Sequence, residues 1–109
     1  MAKMALEQKA EDVVILDLRK LSFSFDFFVL ASASSSRRTG TVVEQIEERL
    51  FSQGVRPGHA EGQREGNWVL LDYGPVVAHI FAPEIRAFYG LERLWAAAPR
   101  LSIPKKKPK

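Results

Sequence analysis

Trp68-Val69-Leu70-Leu71-Asp72-Tyr73-Gly74-Pro75-Val76-Val77-Ala78-His79-Ile80-Phe81 is the stretch that decides the fold. Two runs rich in β-branched and aromatic side chains flank a Gly74-Pro75 step, a spacing that predicts a tight antiparallel hairpin. Directly after it, Ala82-Pro83-Glu84 opens a helix. Proline in a first turn lacks only a donor that has no helical partner there, and a glutamate lies well near the positive end of the dipole. Ile85, Phe88, Leu91, Leu94 and Trp95 recur at helical spacing and are expected to form the buried stripe of one helix that Pro99 ends.

Upstream, Gly54, Pro57, Gly58, Gly62, Gly66 and Asn67 mark a turn-rich passage with room for a short edge strand near Glu61. Before it, Val42, Val43, Ile46 and Leu50 share one face of a helix expected over residues 37–53. Ser34-Ser35-Ser36 stands at its start, Thr41 and Glu44 offer a capping box, and Gly54 is its stop. Val13-Val14-Ile15-Leu16 and Asp26-Phe27-Phe28-Val29-Leu30-Ala31 read as strands covered on both faces. Ala2, Leu6 and Ala10 give a short amphipathic helix over residues 2–11. The order is helix, strand, strand, helix, two or three strands, helix. It specifies an α/β (α+β) domain, a mixed β-sheet covered by helices, because sheet faces this apolar need helical cover.

The chain has 109 residues, 46% of them hydrophobic and 27% charged, enough for one domain with one core and unlike a disordered composition. That domain is expected over residues 1–99, followed by a Pro/Lys-rich flexible tail over 100–109. Four of the positive charges behind the net +3 are Lys105, Lys106, Lys107 and Lys109, so residues 1–104 carry −1. The tail is broken by Pro104 and Pro108, reads as a solubilising end, and offers at most incidental, sequence-independent contact with RNA phosphates. Cysteine is absent, which excludes disulfides and thiolate chemistry and suits a cytoplasmic protein. Residues 1–12 interleave Lys3, Glu7, Lys9 and Glu11, leaving no apolar run of signal-peptide length, and no membrane partner is expected.

Little in the sequence points to chemistry. His59 and His79 are the only histidines, too few for a metal site built on imidazoles, and neither GxxxxGK[ST] nor GxGxxG occurs. Ser34 to Ser36 lack the GxSxG elbow of a serine hydrolase and read as helix-capping hydroxyls. Asp17, Asp26 and Asp72 at strand ends could hold Mg²⁺ for nucleotidyl transfer, though no DxD pair is present; their alternative role is to satisfy backbone groups in turns. No catalytic residue, metal or cofactor is therefore assigned. Arg37 and Arg38 sit where a helix dipole disfavours cations, so either an acidic or phosphate partner compensates them or solvent does. Trp68, Tyr73, Phe81, Tyr89 and Trp95 serve either as core or as interface anchors. Trp68, Asp72, Tyr73 and His79 put hydrogen-bonding aromatics beside a carboxylate on one hairpin.

Several pieces recur together: Asp12-Val13-Val14-Ile15-Leu16-Asp17-Leu18-Arg19, Asp26-Phe27-Phe28-Val29-Leu30, Ser35-Ser36-Arg37, Glu61-Gly62, the hairpin itself, Arg86, Tyr89 and Leu91-Glu92-Arg93-Leu94-Trp95. Their order and spacing over residues 5–97 resemble the RsfS/Iojap family of ribosome-silencing factors. Ala31-Ser32-Ala33-Ser34 departs from the alanine or cysteine, threonine, glycine and threonine usual there, and Gly40 replaces a more helical residue. The resemblance implies a nucleotidyltransferase-like fold without the catalytic motif, often homodimeric. It also implies binding to the large ribosomal subunit through its ribosomal protein fourteen, which blocks the small subunit and represses translation without turnover. The expected contact residues are Trp68, Asp72, Tyr73 and His79 on the hairpin, aided by Arg86 and Tyr89, with Arg37 as a further candidate. The alternatives are a Mg²⁺-dependent nucleotidyltransferase-like enzyme using Asp17, Asp26 and Asp72, and an RNA-binding module driven by Lys105 to Lys109.

Overall fold

A computed structural model describes Ala5 and residues 7–101. The helix expected over residues 2–11 lies in part outside them, and its described end does not continue as helix: Gln8 and Lys9 form a turn and Glu11 begins a strand. The Lys run of the tail lies wholly outside the described residues. Six strands, β1 (Glu11–Asp17), β2 (Phe27–Ser32), β3 (His59–Glu61), β4 (Trp68–Asp72), β5 (Val76–Phe81) and β6 (Arg100–Leu101), form one mixed sheet in the order β3-β4-β5-β2-β1-β6. Helix α1 (Ser36–Ser52) covers one face, and α2 (Pro83–Tyr89) with α3 (Leu91–Leu94) covers the other.

The expected hairpin is present: β4 and β5 pair antiparallel from Trp68↔Phe81 to Asp72↔Val77, and the Tyr73 N–H donates to the Val76 carbonyl at 2.9 Å across the turn. β2 and β5 run parallel at the centre, which is why both sequences are almost unbroken in apolar residues. β1 differs from expectation. Its sequence predicts cover on both faces, yet Val13, Val14 and Ile15 are only half-buried, since just two residues of β6 lie beyond it.

The pleat sorts the core. Ala31, Val69, Leu71, Ala78 and Ile80 face α1, where they meet Val42, Val43 and Ile46. Leu16, Phe28, Leu30, Val77 and Phe81 face the opposite layer, where Ile85, Leu91 and Trp95 pack against them. The start of α1 is set by Ser35, whose extended backbone (φ −152°, ψ 160°) aims its Oγ at the Arg38 N–H. The capping box proposed from sequence at Thr41 and Glu44 is not used: Thr41 lies inside the helix and its hydroxyl donates to the Arg37 carbonyl.

Two expectations about the C-terminal region need correction. The stripe of Ile85, Phe88, Leu91, Leu94 and Trp95 does not belong to one helix. Gly90 adopts the left-handed conformation (φ 57°) and donates its N–H to the Arg86 carbonyl, ending α2, and α3 then starts in a new direction. Ile85, Leu91 and Trp95 turn inward, while Phe88 and Leu94 turn out. Arg100 and Leu101, assigned from sequence to a free tail, instead pair with Leu16 and Ile15, where β1 would otherwise present an open edge. The preceding Pro99 carbonyl accepts from the Asp17 N–H at 2.9 Å.

Candidate partner-binding site

Trp68 and His79 lie diagonally across the β4–β5 pairing, on the face covered by α2 and α3. At that spacing long side chains reach one another. The Trp68 indole Nε1–H donates to His79 Nδ1 at 3.1 Å. His79 is 4% exposed, set edge-on against Phe28 with ring centroids 4.7 Å apart and stacked over Phe81 at 5.9 Å. Because Nδ1 accepts, Nε2 carries the ring hydrogen, and it is buried with no partner among the described residues. On its other side Trp68 packs on Tyr89 at 4.9 Å, and Tyr89 meets Phe88 edge-to-face at 5.1 Å. Phe88 is 76% exposed, Leu94 72% and Tyr89 55%. The result is an aromatic series running from a buried imidazole to solvent.

The other expected contact residues do not join it. Tyr73 follows the pleat to the opposite face, where it packs against the α1 core with its hydroxyl buried, without a partner among the described residues, and raised in pKa by burial and the nearby Glu47. Asp72 shares Trp68's face but sits about 13 Å along the strand, and its carboxylate accepts from the Gly74 N–H at 2.8 Å. Arg37 is exposed in the first turn of α1, whose opening residues include no acid.

Arg86 is committed within the fold. A bulge between Glu11 and Val14 of β1 coincides with a left-handed Asp12 (φ 49°). Arg86 donates to the Asp12 carbonyl at 2.7 Å, to Ser32 Oγ at 2.9 Å and to Glu92 Oε1 at 2.8 Å. Its side chain is only 10% exposed. It joins α2 to β1, β2 and α3, which leaves it little to offer a partner.

Phe88 and Leu94 are the surface residues that sequence reasoning missed, because helical periodicity placed both in the core. Gly90, interrupting that periodicity, was the available signal. Asp17, Asp26 and Asp72 all fall at one end of the sheet, but Asp17 forms a two-pronged pair with Arg19 at 2.7 and 2.9 Å. Hydrogen bonds from Arg19 hold its carboxyl down at about 2. Among the described residues no three His, Cys, Asp or Glu side chains gather as a metal site.

Burial pulls the His79 pKa down from 6.5 to about 4. Well above pH 6.5 the group is neutral whether the chain is folded or not. As pH falls from 6.5 towards 4, the unfolded chain takes up a proton that the native protein refuses, so stability declines. The loss should approach about 3 kcal/mol at the lower limit. Urea unfolding of wild type and His79→Leu from pH 7 to 4.5 isolates this contribution, since other groups cancel in the difference. Parallel curves would show that His79 titrates normally in the fold.

A family model described as ribosomal silencing factor during starvation matches residues 1–109. The ribosomal silencing factor RsfS of Halalkalibacterium halodurans is 34% identical, the match covering 89% of this chain and 83% of that protein. The RsfS of Bacillus subtilis is 33% identical, with 85% and 79% covered. A crystal structure of a Chromobacterium violaceum protein superposes with a TM-score of 0.83 at 30% identity, covering 98% of this chain and 82% of that one. With its mixed six-stranded sheet and a family match running its full length, the chain belongs to the ribosomal silencing factor (RsfS) family.

Proposed function

We propose that this chain silences ribosomes by obstruction: it binds the large subunit through ribosomal protein fourteen at the subunit interface, and its bulk keeps the small subunit from joining. The observation that carries the binding site is the outward apolar set of Phe88, Tyr89 and Leu94, with Tyr89 packed on Trp68. Exposed aromatics backed by a packed ring are the kind of anchor that dominates protein interfaces. The contact surface therefore centres on α2, α3 and the Trp68 end of the hairpin. Asp72 and Arg37 lie apart from it, and Tyr73 and Arg86 serve the fold.

Blocking of this kind needs no turnover, so no catalytic group is assigned; Asp17 and Asp72 are engaged with Arg19 and the Gly74 amide. The protein works in the cytoplasm, where its ribosomes are, and the free form is a homodimer, as the family resemblance implies. Sucrose-gradient sedimentation of purified subunits at joining-permissive Mg²⁺ tests the function. Added protein should leave subunits free and migrate with the large one alone; unimpeded joining refutes the mechanism. Phe88→Ala and Tyr89→Ala should each weaken binding about tenfold or more while leaving the melting temperature nearly unchanged. A large drop in melting temperature with affinity intact would relocate the contact.

A further inference from the structure

His79 is an unexpected occupant of its position. Its neighbours on that face are Phe28, Val77, Phe81 and Trp68, and leucine would suit such surroundings without bringing a buried N–H that finds no partner among the described residues. An orphaned buried donor is unfavourable, so the imidazole must supply something an aliphatic side chain lacks. What it supplies is Nδ1, the acceptor for the Trp68 indole N–H at 3.1 Å. That hydrogen bond fixes the plane of the ring on which Tyr89 packs at 4.9 Å, and Tyr89 in turn supports Phe88. His79 itself is 4% exposed, too deep to reach a partner.

We infer that His79 is a positioning residue for the docking surface: by holding the Trp68 indole it presents Tyr89 and Phe88 already ordered, and it acts on the partner only through them. This role rests on the binding function proposed above. Pre-ordering matters because side chains immobilised during association oppose binding, and those fixed beforehand do not.

Two replacements separate positioning from simple packing. His79→Leu fills the space and removes the orphaned donor but offers no acceptor. His79→Asn places an oxygen near the Nδ1 position but leaves a small void. Stability should rank leucine above asparagine, and affinity for the large subunit should rank them the other way. We expect His79→Leu to bind about tenfold more weakly than wild type, the loss of one hydrogen bond's worth of order, with His79→Asn recovering most of it. In the free protein, the Trp68 indole N–H, identified by its loss in Trp68→Phe, should exchange with solvent about tenfold faster in His79→Leu than in wild type. Trp68→Phe and His79→Leu combined should weaken binding no more than Trp68→Phe alone, because both break the same bond.

Affinities that follow the stability order, or a His79→Leu protein that binds like wild type, would overturn the positioning role while leaving the docking surface in place. Wild-type protein that fails to bind the large subunit would instead overturn the function on which the role depends. If His79→Leu does not fold, the asparagine variant carries the test through indole exchange and affinity, and Trp68→Phe carries it through affinity.

Discussion

Arg86→Met is expected to lower the free energy of unfolding by about 3 kcal/mol, a large share of the stability of a domain this size. The methionine keeps much of the side chain's bulk and removes the guanidinium. Glu92 then loses its close partner and keeps Arg100 at 3.5 Å, and the Asp12 carbonyl and Ser32 hydroxyl each lose a donor. Loss of one member of a poorly solvated ion pair is damaging because the other remains charged. Urea unfolding at pH 7 measures the effect, and Glu92→Gln with the double variant isolates the pairwise part. There is a pH signature as well. The hydrogen bond from Arg86 holds the Glu92 carboxyl below its ordinary 4.5 despite an opposing effect of burial. A depressed carboxyl stabilises above its unfolded pKa and loses that contribution as pH falls through the folded value. Acid sensitivity from this source should shrink in Arg86→Met. A cost below about 1 kcal/mol, within the range of an exposed pair, would mean that Arg86 does not hold the layers together.

Gly62→Ala should cost at least about 3 kcal/mol, seen as a fall in melting temperature of roughly 10 °C or more. Gly62 has φ +83°, and a Cβ placed there would sit 1.9 Å from the Trp68 carbonyl oxygen and 3.0 Å from its carbon. Both are backbone atoms, so no rotamer change relieves the overlap. The β3–β4 connection must move instead, and Trp68 with it. Gly54 provides the control: its φ is +81°, yet an added Cβ meets nothing within 4 Å. Gly54→Ala should therefore show only the left-handed backbone cost, about 1–2 kcal/mol. Equal costs at the two positions would disprove the close approach. Because Gly62 abuts Trp68, the same variant should also weaken large-subunit binding, whereas Gly54→Ala should not.

The legible parts of the sequence were those governed by local rules. Gly74-Pro75 between two apolar runs gave the hairpin, Pro83 the start of α2, and Ser35 stood within a serine run already read as a helix start. The site was harder to see because its geometry is set by the pleat and by one glycine. Trp68, Asp72, Tyr73 and His79 are close in sequence, but alternation sends Tyr73 through the sheet to the α1 side. Gly90 converts a helical stripe into two short helices, which moves Phe88 and Leu94 from expected core to surface. Arg86, an expected partner contact, is instead held within the fold, because its carbonyl acceptor comes from Asp12, at a bulge 74 positions away that no local pattern announces.

The single parallel pairing at the centre of the sheet also dictates how the protein can be made. Phe27 pairs with Val76, 49 positions later, while the β1–β2 and β3–β4–β5 pairings on either side close over short loops. Two antiparallel units can thus assemble locally, but they fuse only once β5 has been synthesised, and closing so long a loop is the slow step expected of non-local topology. A nascent chain that ends before Phe81 has no completed centre and exposes the apolar edge of β2. A protein whose family acts on ribosomes thus gains its own central pairing only after the last of its long strands clears the exit tunnel.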